Sequence, residues 1–126
     1  MLLLDSSFLI DLLHGNSDAL AYIKAQPRIS ALHVHPVVRL ELLAGAANRM
    51  ELRRVSAFLG SFAPVPVQPE DWDHAIQVFQ SMHLVTGIDW ADALIAATCR
   101  RRNFTLITLN EKHFRTVPGL VVLRPY

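Results

Sequence analysis

Four carboxylates stand in apolar stretches of this sequence, where an unpaired negative charge carries a heavy desolvation penalty. They are Asp5 in Leu-Leu-Leu-Asp-Ser-Ser, Asp11 in Leu-Ile-Asp-Leu-Leu, Glu41 in Arg-Leu-Glu-Leu-Leu-Ala-Gly, and Asp92 in Trp-Ala-Asp-Ala-Leu-Ile-Ala-Ala. Carboxylates that converge in a fold repel one another, and a hard divalent cation such as Mg²⁺ or Mn²⁺ relieves that repulsion with its preference for oxygen ligands. The pattern favours a metal site if the fold brings these residues together.

Asp5 and Glu41 each have a structural interpretation as well. Asp5 directly precedes a predicted helix and suits its N-cap, where it would accept hydrogen bonds from free backbone N–H groups. Glu41 suits the exposed side of an amphipathic helix, paired with Arg39 or Arg49. From the residues alone, both interpretations of these two acids stay open.

The acids near Asp92 are open to the same doubt. Asp89 is predicted to be the N-cap of a helix, and Asp92 stands three residues later, where a capping box has Glu or Gln. That pair suits a purely structural role. Asp11, six residues after Asp5, fits a helix surface or a supporting contact better than a metal ligand.

The histidines offer a different kind of metal site. Only His33 and His35 have zinc-type spacing, because alternate residues of one strand share a face. We expect loop or surface positions for the histidines instead, and a structural role for His113. The six are His14, His33, His35, His74, His83 and His113.

Two groups of arginines lie at helix ends. Arg49, Arg53 and Arg54 form one group, and the run from 100 to 102 forms the other. Both groups suit contact with a phosphate backbone, and both suit solvated helix ends or interhelical ion pairs. The lone Cys99 excludes an intramolecular disulfide and a cysteine-based zinc site, and its neighbours predict a buried helical thiol.

Strands and helices are predicted to alternate along the whole chain. Apolar runs and turn residues predict strands over residues 1–4, 28–31, 105–108 and 120–123, with 62–67 extended at most at a sheet edge because of Pro64 and Pro66. Helical spacing predicts helices over residues 6–13, 17–25, 37–47, 51–59, 70–84 and 90–99. This order predicts an α/β fold, a mainly parallel sheet covered by helices on both faces, and places Asp5 and Asn110 just past strand ends on one rim.

Length and composition set the remaining limits. A chain of 126 residues suits one domain, 1–126. Charged residues are 18%, below the roughly 25% typical of soluble domains, so we expect a self-association or partner surface. A net charge of +1 neither indicates nor excludes nucleic acid. No run reaches the roughly 20 apolar residues that span a bilayer, and the N-terminus lacks signal-peptide features, so we expect a cytoplasmic protein without a membrane partner.

Four blocks of the sequence closely resemble PIN-domain proteins, in that family's order and spacing. They are Leu-Leu-Leu-Asp-Ser-Ser-Phe-Leu-Ile-Asp-Leu-Leu at the start, Val-Arg-Leu-Glu-Leu-Leu-Ala-Gly at 38–45, Gly-Ile-Asp-Trp-Ala-Asp-Ala-Leu-Ile-Ala-Ala-Thr at 87–98, and Leu-Ile-Thr-Leu-Asn-Glu-Lys-His-Phe-Arg-Thr-Val-Pro-Gly-Leu at 106–120. The last resembles the closing motif of the VapC-type toxins in that family. The resemblance implies a three-layer PIN-like, Rossmann-like sandwich.

The resemblance also implies a set of site residues. Asp5, Glu41 and Asp92 match the family's catalytic and metal-binding acids. The fourth polar position of the family falls on Asn110, and Asp89 would assist the site as an extra acid. Ser6 or Ser7 resembles the small hydroxyl residue that orients the first carboxylate or contacts substrate.

The activity implied by the resemblance is that of a metal-dependent endoribonuclease, the toxin of a type II toxin–antitoxin system. Its cofactor would be Mg²⁺, or Mn²⁺, and its substrate RNA in single-stranded or looped regions. Attack by water would leave a 5′-phosphate and a 3′-hydroxyl. The implied partners are a cognate antitoxin that covers the site and a second copy of the chain in a homodimer.

Two other functions stay open from the sequence. One is a catalytically inactive PIN-like module that binds RNA or protein, although such a module has no chemical reason to keep Asp5, Glu41 and Asp92 together. The other is a haloacid-dehalogenase-like phosphohydrolase, which also begins with an apolar strand ending in Asp. That class needs a second Asp two residues later, where this chain has Ser7.

Overall fold

Five short parallel strands form the centre of the computed structural model, which describes residues 1–126. The strands are β1 (Leu2–Leu4), β2 (Leu32–Val34), β3 (Ala63–Pro64), β4 (Thr105–Ile107) and β5 (Val121–Leu123), in the order β3-β2-β1-β4-β5. The register aligns Leu2 of β1 with Leu32 and Thr105 of its two neighbours. The predicted parallel α/β fold is confirmed.

Seven helices surround this sheet. They are α1 (Ser6–Leu13), α2 (Ser17–Lys24), α3 (Pro36–Ala44), α4 (Arg49–Leu59), α5 (Pro69–Thr86), α6 (Trp90–Arg101) and α7 (Glu111–Phe114). The chain moves along the sheet in one direction from β1 to β3 and in the other from β3 to β5. Because parallel crossovers are right-handed, α1 to α4 cover one face and α5 to α7 the other.

The reversal of direction lies between β1 and β4, the two central strands. In open parallel sheets, the carboxyl ends of the strands on either side of such a switch point form a crevice. Asp5 follows β1, and its N–H donates to the carbonyl of Ile107, the last residue of β4. Residues 108–110 follow β4 on the same rim, so the topology brings the first acid and the closing motif together.

Local sequence explains where the helices that carry the other acids begin. Pro36 occupies the first turn of α3, and the ring of His35 accepts a hydrogen bond from the Val37 N–H at 3.1 Å. Asp89 caps α6 by accepting from the Asp92 N–H at 2.8 Å. These two starts fix the placement of Glu41, in the second turn of α3, and of Asp92, in the first turn of α6.

One predicted strand was misplaced and one short helix was missed. The strand predicted over residues 28–31 is instead a 3-10 turn at Ile29–Ala31, and the strand is the next segment, Leu32–Val34. All three residues of that strand are buried, so side-chain burial at the sheet centre decided the placement. The short helix α7 was not predicted, because one turn is too short to show a helical period.

The hydrophobic core is one contiguous cluster that runs from Leu3 to Val117 and fills both sides of the sheet. Residues 93–99 of α6 are all buried, as the apolar pattern of this helix predicted. The thiol of Cys99 lies among them and donates to the Phe104 carbonyl, and burial raises its pKa to about 12. No helix is long and apolar enough to cross a membrane.

Candidate active site

Asp5 lies at the carboxyl end of β1 and is 4% exposed. It occupies the N-cap position of α1, but its side chain makes no capping hydrogen bond. Its Oδ2 instead accepts from the Thr108 hydroxyl at 2.7 Å and from the Ser7 hydroxyl at 3.1 Å. The capping interpretation is therefore wrong, and a buried carboxylate is held in one orientation by two hydroxyls.

The two hydroxyls that hold Asp5 are themselves fixed by the turn after β4. The Leu109 N–H donates to Ser7 Oγ and the Asn110 N–H donates to Thr108 Oγ1, both at 3.0 Å. Thr108 is fully buried. Sequence reasoning named Ser7 as a supporting residue but missed Thr108, whose position directly after β4 was the available signal.

Glu41 extends from α3 toward the same rim. Its Oε2 accepts a hydrogen bond from the Ser6 hydroxyl at 3.2 Å, and it forms no ion pair with Arg39 or Arg49. Ser6 and Ser7 therefore serve different acids, the first Glu41 and the second Asp5. Partial burial raises the pKa of Glu41, and the charges of Asp5 and Asp89 raise it further.

Asp92 and Asp89 come from the first turn of α6. Asp89 caps the helix as predicted. The Asp92 side chain accepts no hydrogen bond from the Asp89 backbone N–H, so the two residues do not form a capping box. Asp92 Oδ2 lies 3.3 Å from His113 Nδ1 instead. Burial raises the pKa of Asp92 to about 7, the charges of Asp89 and Asp5 raise it in the same direction, and His113 opposes them.

Asn110 stands behind this acid rather than among the carboxylates. Its side-chain amide lies 2.8 Å from His113 Nδ1, the same nitrogen that faces Asp92. His113, interpreted from sequence as structural, thus lies beside one of the predicted site residues. The signal that sequence reasoning passed over is its position three residues after Asn110, one turn along α7.

The four acids Asp5, Glu41, Asp89 and Asp92 form one electronegative cluster, hereafter the acid rim. Their mutual charges raise the pKa values of Glu41 and Asp92. No Lys or Arg pairs with any of them, since the lysine and arginine ion pairs of the chain join Arg101 to Asp71 and Glu70 and Arg115 to Glu111. No lysine or arginine therefore compensates the charge of the acid rim, and only His113, beside Asp92, opposes it.

The donor chemistry of the acid rim fits a hard divalent cation, because its ligands are carboxylate oxygens whose charge has no basic partner. As the side chains stand, no three of the chain's His, Cys, Asp and Glu residues are close enough together to hold a metal ion. Asp5 is the most firmly held of the four acids, because Ser7 and Thr108 both donate to it, whereas Glu41 accepts one hydrogen bond, from Ser6.

Two of the histidines are buried, which contradicts the expected loop or surface positions. His33 is 7% exposed in β2, and His35 is fully buried at the start of α3. His33 contacts the Ala31 carbonyl and the Phe104 ring, while His35 contacts Thr98 at 3.1 Å and the Val37 N–H. The pair therefore fills internal positions and forms no zinc site.

The two arginine groups differ in their contacts. Arg101 forms an ion pair with Asp71, Arg100 donates to the Pro118 carbonyl, and Arg102 lies over the Phe104 ring. These three are engaged inside the chain. On α4, Arg54 makes one long contact of 3.5 Å with the Leu13 carbonyl and, with Glu41, lines a cleft between α1, α3 and α4.

Asp11 is not part of the acid rim. Its Oδ2 accepts a hydrogen bond from the Tyr126 hydroxyl at 2.9 Å, which ties the end of the chain to α1. Burial raises the pKa of Tyr126 to about 12, and the Asp11 carboxylate raises it in the same direction. Asp11 therefore makes a supporting contact, one of the two roles that the sequence favoured for it, and this contact holds the C-terminal segment.

Comparison with known proteins places this geometry in a family. The PIN-domain model matches residues 2–120. No curated protein sequence matches the chain. A toxin–antitoxin complex from Klebsiella pneumoniae has a chain that is 26% identical, with a TM-score of 0.82, over 100% of this chain and 98% of that one.

More distant structures share the fold. VapBC2 from Rickettsia felis, bound to a DNA fragment from its promoter, is 17% identical with a TM-score of 0.79, over 97% of this chain and 96% of that one. FitAcB from Neisseria gonorrhoeae is 21% identical with a TM-score of 0.75, over 99% and 98%.

Proposed function

The chain belongs to the PIN-domain family, and from this premise we propose that it is a metal-dependent endoribonuclease and the toxin of a type II toxin–antitoxin pair. The observation that carries the proposal is the acid rim. Four carboxylates from β1–α1, α3 and α6 meet without any lysine or arginine partner. A fold gains no stability from such an arrangement, whereas perturbed carboxylates clustered at a strand-end crevice are typical of catalytic sites.

The metal is proposed to be Mg²⁺, with Mn²⁺ as an alternative, held by Asp5, Asp92 and Glu41. When bound, the cation supplies positive charge to the scissile phosphate and lowers the pKa of the attacking water. The hydroxyls of Ser7 and Thr108 keep Asp5 in a fixed orientation for this role. Ser6 does the same for Glu41 with one hydrogen bond.

Glu41 is proposed to orient and deprotonate the water. Its raised pKa makes it a stronger base than an ordinary glutamate, and its side chain reaches solvent at the mouth of the cleft. The water oxygen forms a bond to phosphorus while the bond from phosphorus to the ribose 3′ oxygen breaks, and the 3′ oxygen takes a proton. The products are a 5′-phosphate and a 3′-hydroxyl.

The substrate is proposed to be RNA in a single-stranded or looped region, where the backbone can reach a recessed acidic site. Repulsion between phosphates and the acid rim calls for nearby positive charge. Arg49, Arg53 and Arg54 on α4 are the candidates, because Arg54 shares a cleft with Glu41 and the group is not tied into ion pairs. Residues 100–102 are less suited, since their side chains are engaged inside the chain.

A cognate antitoxin and a second copy of the chain are proposed as protein partners. The similar chain from Klebsiella pneumoniae comes from a toxin–antitoxin complex, which supports the first. Exposed apolar residues on α5 and α6, among them Trp72, Ile76 and Trp90, support an interface of some kind. Light scattering of the purified protein tests for the second copy of the chain, and we expect it to give the mass of a dimer.

Cleavage of end-labelled single-stranded RNA tests the nuclease proposal. We expect cleavage with Mg²⁺ or Mn²⁺, none with EDTA, and products that carry a 5′-phosphate. Asp5→Asn, Glu41→Gln and Asp92→Asn should remove cleavage, while Asp73→Asn, the same change at an exposed position on α5, should not. Cleavage that persists in EDTA contradicts the metal dependence, and RNA binding without cleavage indicates a non-catalytic module.

A further inference from the structure

The turn between β4 and α7 carries a series of close polar contacts between two acids of the rim. Thr108 Oγ1 donates to Asp5 at 2.7 Å and accepts from the Asn110 N–H at 3.0 Å. The Asn110 side chain then meets His113 Nδ1 at 2.8 Å, and that nitrogen lies 3.3 Å from Asp92 Oδ2. This turn therefore links an acid that follows a strand to an acid borne by a helix.

His113 Nδ1 faces two groups at once, which restricts the state of the imidazole ring. A ring nitrogen carries either a hydrogen or a lone pair, and Asp92 in its ionised form has only lone pairs to offer. The contact with Asp92 therefore requires hydrogen on Nδ1. Both a neutral ring protonated at Nδ1 and an imidazolium satisfy this requirement.

The same hydrogen decides the orientation of Asn110. As placed, its Nδ2 faces Nδ1, and two N–H groups cannot bond to each other. The two ends of a carboxamide have nearly the same shape, so a half-turn brings Oδ1 opposite Nδ1 as an acceptor. The hydrogen on Nδ1 is then shared between Asn110 and Asp92, an arrangement known as a bifurcated bond.

The surroundings hold this imidazole in place. The next residue, Phe114, is fully buried, and an ion pair of 2.7 Å between Arg115 and Glu111 spans the turn of α7. The His113 and Asp92 side chains are 25% and 16% exposed, so water competes only partly for their contact. The turn that carries the ring is thus anchored in the core through Phe114, with the ring partly buried beside Asp92.

We propose that His113 is a positioning residue of the acid rim: its Nδ1–H donates to Asp92 Oδ2 and to Asn110 Oδ1, so that Asn110 supports Asp92 through His113. The kinetic part of this inference rests on the proposed nuclease function. The placement of the hydrogen does not.

Two-bond ¹H–¹⁵N correlation spectra of the unaltered protein show directly which ring nitrogen of His113 carries hydrogen. The spectra are recorded without added metal at about pH 8, above the usual histidine pKa of roughly 6.5. His113→Asn identifies which signals belong to this ring among the six histidines. We expect hydrogen on Nδ1. A ring that carries hydrogen only on Nε2 overturns the proposal, because Nδ1 would then accept from Asn110 and leave Asp92 without its donor.

Three substitutions separate the donor from the bulk of the ring. Asparagine carries its amide nitrogen where histidine carries Nδ1, glutamine carries it where histidine carries Nε2, and phenylalanine keeps the ring without a donor. We expect His113→Asn to cleave RNA within a few-fold of the parent. His113→Gln and His113→Phe should lower kcat about 10- to 100-fold with little change in KM, as for other supports of site carboxylates.

Melting temperatures of the three variants separate positioning from folding. A loss of kcat in His113→Asn equal to that in His113→Phe, at matched melting temperatures, overturns the donor role. If the parent protein cleaves no RNA but its spectra show hydrogen on Nδ1, the contact stands and the proposed function fails. The two failures are therefore distinguishable.

Discussion

Two aspartates on neighbouring helices illustrate opposite uses of a buried charge. Asp71, in the first turn of α5, is fully buried and accepts from Arg101 at 2.6 and 3.0 Å and from the Gln68 N–H at 2.8 Å. Burial alone would raise the pKa of Asp71, but the Arg101 bonds and charge and the Gln68 bond lower it below the ordinary value. Asp92, in the first turn of α6, has only other acids and His113 nearby, and its pKa is raised to about 7.

The difference separates a structural charge from a functional one. Asp71 has the donors and the positive partner that make burial tolerable, so it ties α5 to α6. Asp92 is left with repulsion from Asp89 and Asp5 that His113 only partly offsets, which is a cost to folding unless a ligand relieves it. Removing the charge of Asp92 and removing the Arg101 partner of Asp71 should therefore have opposite consequences for activity and stability.

The largest expected effect is on cleavage by Asp92→Asn. The substitution removes a proposed metal ligand, so we expect the RNA cleavage rate to fall at least about 100-fold. It also removes repulsion from Asp5 and Asp89, so the free energy of unfolding without metal should stay the same or rise. Urea titration and a cleavage assay measure both; a variant that loses stability in parallel with activity contradicts the comparison.

Arg101→Ala should show the reverse pattern. It leaves the fully buried Asp71 without its positive partner, which should lower the free energy of unfolding by about 3 kcal/mol. The cleavage rate per folded molecule should be unchanged. Arg53→Ala, on an exposed position of α4, is the stability control and should change the free energy by less than about 0.5 kcal/mol. Equal effects of the two substitutions would refute a structural role for the Asp71–Arg101 pair.

The third prediction concerns pH and His35. Burial lowers the pKa of His35 from 6.5 to about 4, although the charge of Asp71 acts in the opposite direction. Between pH 6.5 and about 4, the imidazole of His35 is protonated in the unfolded chain and neutral in the folded chain. Stability should therefore be insensitive to this residue above pH 6.5 and fall with pH down to about 4, by up to about 3 kcal/mol.

The pH experiment needs the Asp92→Asn background. Because the pKa of Asp92 is raised to about 7, the Asp92 carboxylate takes up a proton in the folded chain below pH 7, while it stays ionised in the unfolded chain. This difference raises the stability of the fold as pH falls and hides the loss of stability caused by His35. In that background, urea midpoints between pH 4 and 7 should show the loss. A further His35→Asn change, which keeps an N-cap for α3, should flatten the profile; an unchanged profile contradicts the assignment to His35.

The smallest expected effect belongs to Tyr126→Phe. It removes the hydrogen bond to Asp11 but keeps the ring beside Phe8, so the free energy of unfolding should fall by about 0.5 to 1.5 kcal/mol. Cleavage should not change, because Asp11 lies outside the acid rim. Thermal melts measure the first and the RNA assay the second. A large loss of cleavage would indicate that Asp11 contributes to the active site.

Much of the fold was predictable from local pattern. Apolar runs at residues 1–4 and 105–108 became strands because the centre of a parallel sheet buries both faces of its strands, and the run at 120–123 became the largely exposed edge strand β5. The apolar α6 was predicted as a buried helix for the same reason. The segment 28–34 was misplaced by a few residues, since short runs do not reveal which residues the sheet will bury, and α7 was missed.

The sequence indicated acids that the fold places near one another, but it did not indicate their contacts. Asp5, Glu41 and Asp92 stood out, together with Asp11, because each interrupts an apolar stretch, and the family resemblance separated the first three from Asp11. Nothing in the sequence showed that Thr108 would hold Asp5, or that His113 would lie between Asn110 and Asp92. These contacts join residues far apart in the chain or depend on one turn of helix, and side-chain geometry alone sets them.

By itself, the sequence determined the alternation of strands and helices, the family and the acids at its strand and helix ends, because hydrophobic period and flanking residues are local properties. The tertiary structure decided which charges are compensated. Asp71 and Asp92 both lie in the first turn of a helix, yet one meets Arg101 and the other meets Asp89, Asp5 and His113. Electrostatic compensation depends on distances across the fold, and the order of strands around the β1–β4 switch point sets those distances.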